Sequence, residues 1–313
     1  MTAFLLENTD ATIRIYSRDE LKQSQMRATL GDARVRYFLG DVRDLERLKM
    51  ALHGVTHIFH AAALKHVDAG EYNPDEFVRT NIGGSQNVIY ASIQTGTVQR
   101  VVFLSTDKCV EPINLYGSTK AVAEKLMIRA NGLSPHGTEF CVVRYGNVTG
   151  SRGSVIPYWK NLLAEKKPLP LTDAHMTRFW ISLDEAVEAA WFTMREAPRG
   201  VIVVPHLCAY KLTDLASALS SCDYPLDIVG IRPGEKLHES LMTREEITRS
   251  MFMSGYYCLT PVAPSWGVTS FPSHAQAVST GSYAFATKYR SDVWKWRLDA
   301  ERLRDLLTEK ESL

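Results

Sequence analysis

The chain has 313 residues, 45% hydrophobic and 23% charged, with a formal net charge of +1 and a pI near 7.7. This balance fits a soluble globular protein, either one large α/β domain or a main domain with a smaller one appended. It excludes the strong positive field that recruits nucleic acid or an anionic membrane surface. No apolar run approaches the roughly 18–20 residues of a membrane span, and the opening MTAFLLENTD lacks the shape of a signal peptide. Cys109, Cys141, Cys208, Cys222 and Cys258 are odd in number and contain no C-x-x-C, which favours reduced thiols in a cytoplasmic compartment.

In chain order, Met1–Asn8 reads like the back half of a helix. Predicted strands follow at Ala11–Tyr16, Val35–Leu39, His57–Ala61, Arg100–Ser105 and Glu139–Tyr145. Helical stretches lie between them at about Arg18–Leu30, Asp44–Leu52, Pro74–Thr95 and Tyr116–Ala130. Strands alternating with helices imply βαβ units and a parallel sheet covered on both faces. The expected fold is therefore α/β, a Rossmann-like doubly wound parallel sheet with a smaller C-terminal substrate-binding domain.

Residues 1–148 form the expected dinucleotide-binding domain, and the Gly/Ser-rich GNVTGSRGSVIP follows its last strand. Residues 149–313 are read as mainly substrate-binding, with about 178–205 packing back on the sheet. A doubly wound nucleotide domain normally opens with a strand and a glycine-rich turn that meets the pyrophosphate. No such turn opens this chain. The first strand is expected to be missing from the sheet between the strands at 11–16 and 57–61.

Candidate chemistry concentrates in LSTDKCVEPINLYGSTK, residues 104–120. Tyr116 and Lys120 stand one helical turn apart, so both side chains share a face. A lysine there can lower the phenol's pKa and let it act as a base. Thr106, Asp107 and Lys108 follow the carboxyl end of a strand, where open α/β sheets bind ligands. If Tyr116 takes the C4-hydroxyl proton of a sugar while hydride leaves for a nicotinamide, C4 becomes a ketone and acidifies C5. Lys108 can then remove the C5 hydrogen, and a protonated Asp107 can release the 6-hydroxyl as water. The extra acid and base turn an oxidation into an elimination.

Ser17, Arg18 and Lys22 follow the strand that should meet the adenosine ribose, and their cations and hydroxyl suit a 2′-phosphate, hence NADP; Asp19 leaves NAD open. Asp41 and Val42 are placed to flank the adenine, and Ala61 and Ala62 supply small residues where backbone approaches a cofactor. His57 and His60 point to opposite faces of a strand, and no metal is expected.

The stretches AAALKHVDAGEYNPDEFVRTNIGGSQNV, LSTDKCVEPINLYGSTKAVAEKL, RYGNVTGSRGSVIP, MTRFWI and GIRPGEKLHE resemble the inverting UDP-N-acetylglucosamine 4,6-dehydratases of pseudaminic acid synthesis, extended short-chain dehydrogenase/reductase proteins. The resemblance runs from about Leu5 to about Pro264. It implies that Thr106 bonds the C4 oxygen, Asp107 and Lys108 are the acid/base pair, and Tyr116 and Lys120 the redox pair. It also implies that Lys65 and Asn81 line the cofactor and active site, and that Asn147, Arg152 and Val155 hold the nucleotide-sugar. Arg178, Arg232 and Glu235 fall at UDP-binding positions, where the planar guanidinium suits a diphosphate. UDP-N-acetylglucosamine is the implied partner, with a homo-oligomeric assembly and no nucleic acid or membrane. Competing readings are a nucleotide-sugar epimerase or reductase of the same fold, or a non-catalytic nucleotide-sugar-binding homologue.

Overall fold

A computed structural model describes residues 1–151, 153–220, 224–262 and 288–309. Helix α1 (Thr2–Asn8) opens the chain, and strand β1 (Ile13–Ser17) pairs in parallel with β2 (Val35–Leu39). Helix α2 (Glu20–Leu30) joins them. Asp19 starts α2 by accepting the Lys22 N–H, and Gly31 stops it in the left-handed region at φ 56°. Helix α3 (Leu45–Leu52) leads on to β3 (His57–His60).

The main sheet has six strands. Strands β3, β4 (Arg100–Leu104), β5 (Glu139–Val143) and β8 (Ile202–Pro205) run parallel. The hairpin of β12 (Ser250–Met253) and β13 (Tyr256–Leu259) adds antiparallel to β8, giving the order β12-β13-β8-β5-β4-β3. The centres of β4 and β5 are apolar on both faces, and Val101, Val102, Phe140 and Val142 are fully buried. That is the pattern of strands covered on both sides. Among the described residues no ladder joins β1 to β3, so β1–β2 is a separate two-stranded sheet at the place where the sequence predicts a gap.

Helices α6 (Gly84–Thr95), α7 (Leu115–Ala130) and α9 (Leu183–Arg195) are packed in its cores, and α9 starts on a Ser182–Glu185 capping box. The helix expected over 74–95 is not continuous. It breaks into α5 (Pro74–Phe77), a π-helical segment Val78–Gly83, and α6, after a short α4 (Val67–Tyr72). A π segment adds a residue to the turn and re-aims side chains. Here it buries Asn81 and brings Gly84 against Val42, where a Cβ would lie 2.7 Å from Val42 Cγ2.

Some of the smaller strands build a further core, and others join the core of the main sheet. β6 (Leu169–Leu171) pairs with β10 (Leu226–Ile228), and β7 (Thr177–Phe179) with β9 (Ala209–Lys211). β15 (Arg297–Leu298) extends that pair, while β11 (Ser240–Met242) pairs with β14 (Tyr289–Arg290). Helices α8 (Val155–Ala164), α10 (Leu212–Leu219) and α12 (Ala300–Glu309) pack in the further core through Trp159, Leu215 and Leu303. Between β11 and β12 lies α11 (Arg244–Thr248). No helix of the described residues is long and apolar enough to cross a membrane.

Candidate active site

Strand β4 delivers the chain to a 3-10 turn, Asp107–Cys109. Two backbone bonds keep the departing chain registered on β5: Ser105 N–H to the Val143 carbonyl at 2.7 Å, and Asp107 N–H to the Tyr145 carbonyl at 3.0 Å. Thr106 caps the turn, accepting the Lys108 N–H at 3.4 Å and donating its hydroxyl to Asp107 Oδ1 at 3.0 Å. Asn114 then starts α7 by accepting the Gly117 N–H at 2.7 Å. A Cβ at Gly117 would lie 2.1 Å from the Lys108 carbonyl oxygen, so glycine is what lets the helix press against the turn. Tyr116 is thereby carried towards Thr106, whose hydroxyl is one of the groups that oppose the rise of its phenol's pKa.

The Lys108 ammonium meets three acceptors: Asn147 Oδ1 at 2.9 Å, Asp107 Oδ1 at 3.1 Å and Glu239 Oε1 at 3.3 Å. Burial opposes its charge, but the two carboxylates outweigh burial and raise the lysine's pKa. Asp107 is 0% exposed. Burial, then the neighbouring Glu239 charge, push its carboxyl above the usual range despite Lys108 and Thr106. Glu239 goes the other way: burial would raise it, yet Lys108, Arg178 and Lys236 together hold it low. Neither Asp107 Oδ2 nor Glu239 Oε2 has a hydrogen-bond partner. Gly146 stands beside the former, where a Cβ would come within 3.3 Å.

The structure differs from the sequence expectation at Lys120. Its Nζ donates to the Leu104 carbonyl at 2.6 Å and sits 3.8 Å from the Phe103 ring centroid. Burial brings its pKa down to about 7. The Tyr116 phenol is raised by burial, and the cation that opposes this most is Lys108. Buried Asn81 clamps the loop after β3 to α7: it accepts the Leu64 N–H at 2.8 Å and donates to the Leu64 carbonyl and to Thr119, each at 3.0 Å. Ala61, Ala62 and Lys65 lie in that loop.

Farther along the same edge, Ser17 ends β1, and Arg18 and Lys22 reach Asp41 at 3.5 Å and Asp19 at 2.9 Å. Asp41 is also held by Arg43 at 2.7 Å, while Val42 is buried against Gly84. On the opposite side, buried Arg178 in β7 and exposed Arg232 converge on Glu235 at 3.4 and 3.3 Å. Val155 begins α8; Arg152 lies outside the described residues. The segment carrying Arg232 and Glu235 is latched to the turn at 107–109 and the start of α7. Asn114 Nδ2 donates to the Gly234 carbonyl at 2.7 Å, and Lys236 Nζ to the Val110 carbonyl at 2.5 Å. Sequence reasoning missed Glu239, although it lies in the GIRPGEKLHE stretch, and missed the steric roles of Gly117 and Gly146.

Residues 1–261 match the family model described as polysaccharide biosynthesis protein. The chain belongs to this family. It is 46% identical over 263 residues to a Campylobacter jejuni protein (serotype O:23/36) named UDP-N-acetylglucosamine 4,6-dehydratase (inverting), covering 83% of this chain and 78% of that protein. A Rickettsia felis protein named UDP-glucose 4-epimerase is 41% identical over 256 residues, covering 80% and 75%. Among solved structures, Pen from Bacillus thuringiensis aligns with a TM-score of 0.86 at 33% identity, over 98% of this chain and 93% of that one. The dTDP-glucose 4,6-dehydratase DesIV from Streptomyces venezuelae, solved with NAD, aligns with a TM-score of 0.66 at 24% identity, over 75% of this chain and 80% of that one. It supports the fold alone.

Proposed function

We propose that the protein is a UDP-N-acetylglucosamine 4,6-dehydratase that uses NADP. The observation that carries this reading is the Thr106–Asp107–Lys108 turn, a buried acid that accepts from Thr106 at 3.0 Å and lies 3.1 Å from an ammonium whose charge acts on the Tyr116 phenol. An epimerase that only oxidises and re-reduces C4 has no use for the acid and base. The name of the Campylobacter relative supports the same substrate.

The cofactor edge fits a dinucleotide with a 2′-phosphate. The Arg18 and Lys22 side chains are 53% and 60% exposed, and their surface ion pairs are weak enough to exchange for a phosphate. Residues 1–148 would hold the cofactor, which would supply the acceptor for the C4 hydride and its donor to C6. Tyr116 receives the C4-hydroxyl proton, and Thr106 orients that oxygen. Asp107 gives its proton to the C6 oxygen, which leaves as water when Lys108 takes the C5 hydrogen. Overall the sugar loses the C4-hydroxyl proton and the C6 hydroxyl as one water. Arg178 and Arg232 would exchange Glu235 for the diphosphate, and Asn147, Arg152 and Val155 would close over the nucleotide-sugar. Homo-oligomerisation belongs to the same reading and is tested by light scattering.

Mixing the protein with NADP and UDP-N-acetylglucosamine should give the 6-deoxy-4-keto sugar. Tyr116→Phe should stop reduced-nicotinamide absorbance from forming. Lys108→Ala should form it yet release product about 10²–10⁴-fold more slowly. Arg18→Ala should weaken NADP binding about tenfold or more, and NAD much less, as for a lost charged hydrogen bond. Interconversion of UDP-glucose and UDP-galactose without dehydration would replace this reading by epimerisation.

A further inference from the structure

Lys108 presents a problem that its own neighbourhood solves. An ammonium has three protons, and Asn147, Asp107 and Glu239 are its three acceptors. A base needs one of those positions vacated. Asn147 cannot accept a proton onto its amide, and Asp107 must keep its own proton for the departing oxygen. Glu239 is 2% exposed, sits 3.3 Å from Lys108 Nζ, and has an oxygen without a hydrogen bond. The protein holds it there firmly: its backbone N–H donates to Ser291 Oγ at 3.0 Å, and its carbonyl accepts the Ser291 N–H at 2.9 Å.

We infer that Glu239 is the positioning residue of this acid/base group, receiving the proton that Lys108 sheds before its amine removes the C5 hydrogen. The inference rests on the dehydratase reading. The transfer converts Lys108–NH₃⁺ and Glu239–COO⁻ into Lys108–NH₂ and Glu239–COOH, which replaces a buried ion pair by two neutral groups. Lys108 then takes the C5 proton, and the C–H electrons form the C5=C6 bond. The C6–O bond breaks with the Asp107 proton on the leaving water. Afterwards Glu239 is the one carboxylic acid of the group and Asp107 the carboxylate. Lys108 passes a proton to Asp107 and recovers one from Glu239, and the proton that Tyr116 took from the C4 hydroxyl replaces the one C5 lost as hydride returns at C6, which restores the starting arrangement. The other charged or ionisable groups acting on Lys108 and Glu239 are Arg178, Lys236 and Tyr116.

The test compares the parent, Glu239→Gln and Glu239→Asp in the full chain. With UDP-N-acetylglucosamine and NADP, Glu239→Gln should still form reduced nicotinamide at the parent rate. Its elimination should be slower by about tenfold or more, and should speed up as pH rises while the parent's stays level, because bulk base then strips Lys108. Glu239→Asp should recover part of the rate, and covers the case in which the glutamine variant does not fold. Independently of any activity, NMR titration of ¹³C-labelled Lys108 should show its pKa lower in Glu239→Gln than in the parent. Parent-rate elimination by Glu239→Gln would mean that Lys108 sheds its proton without Glu239, and would overturn the inference. Equal loss of oxidation and elimination, or unchanged Lys108 titration, would do the same. A parent that makes no keto sugar while Lys108 titration shifts as expected removes the dehydratase reading and leaves the Glu239–Lys108 pairing standing.

Discussion

His60 is 3% exposed, its Nε2 is 3.1 Å from Ser85 Oγ, and burial drives its pKa down to about 3. Because the folded pKa lies below that of the unfolded chain, the unfolded state binds more protons between about pH 3 and the ordinary imidazole value of about 6.5. The contribution is whole above that range and is lost as pH falls through it. His60→Gln should therefore flatten the acid limb of a plot of urea midpoint against pH. Parallel limbs for variant and parent would assign the acid sensitivity to other groups. Single residues were also where the sequence was least informative about geometry. The spacing of Tyr116 and Lys120 placed both on one helix face, but not the turning of the Lys120 amine to the Leu104 carbonyl. Glu239 reaches Lys108 from a distant part of the chain, and no local pattern records such a meeting.

At the scale of elements, the strands predicted at 35–39, 57–61, 100–105 and 139–145 all form, with ends within two residues. Short runs of β-branched and aromatic residues bounded by turn residues are a strong local signal. The break in the predicted 74–95 helix was not legible, because it follows from packing Gly84 on Val42 rather than from helix propensity. The β12–β13 hairpin was overlooked although its Ser254-Gly255 turn is visible; both residues take positive φ, 50° and 86°, as a two-residue hairpin loop requires. Gly117 is the test at this scale. Gly117→Ala would favour helix propensity yet drive a methyl into the Lys108 carbonyl. It should destabilise the fold by about 1–3 kcal/mol in urea unfolding, as overpacking does, and should displace Tyr116 from Thr106. An unchanged midpoint would show that α7 can slide off the turn.

Across the whole molecule, elements distant in sequence are bound by polar contacts as well as apolar ones. Arg144 at the end of β5 pairs with Glu124 in α7 at 2.7 Å and with Glu246 in α11 at 2.9 Å, all three inside the protein. Alternation of strands and helices made the parallel half legible. The later half was harder to read because its sheets are short and pair across long sequence gaps, as β9 does with β15 and β6 with β10. The latch between the 230–239 segment and the 106–117 stretch has a consequence for local opening. Asn114 to Gly234, Lys236 to Val110 and Lys108 to Glu239 are three ties between the same two stretches. Segments tied in this way open as one cooperative unit. Native-state hydrogen exchange should give the amides of 106–117 and 234–239 a common opening free energy, and Asn114→Ala should lower both together. Separate values in the parent would make the groups proposed to bind the diphosphate and those proposed to move the protons independent in their fluctuations. Under the proposed function, a common value makes each loss of grip on the nucleotide also a disassembly of the proton-transfer groups.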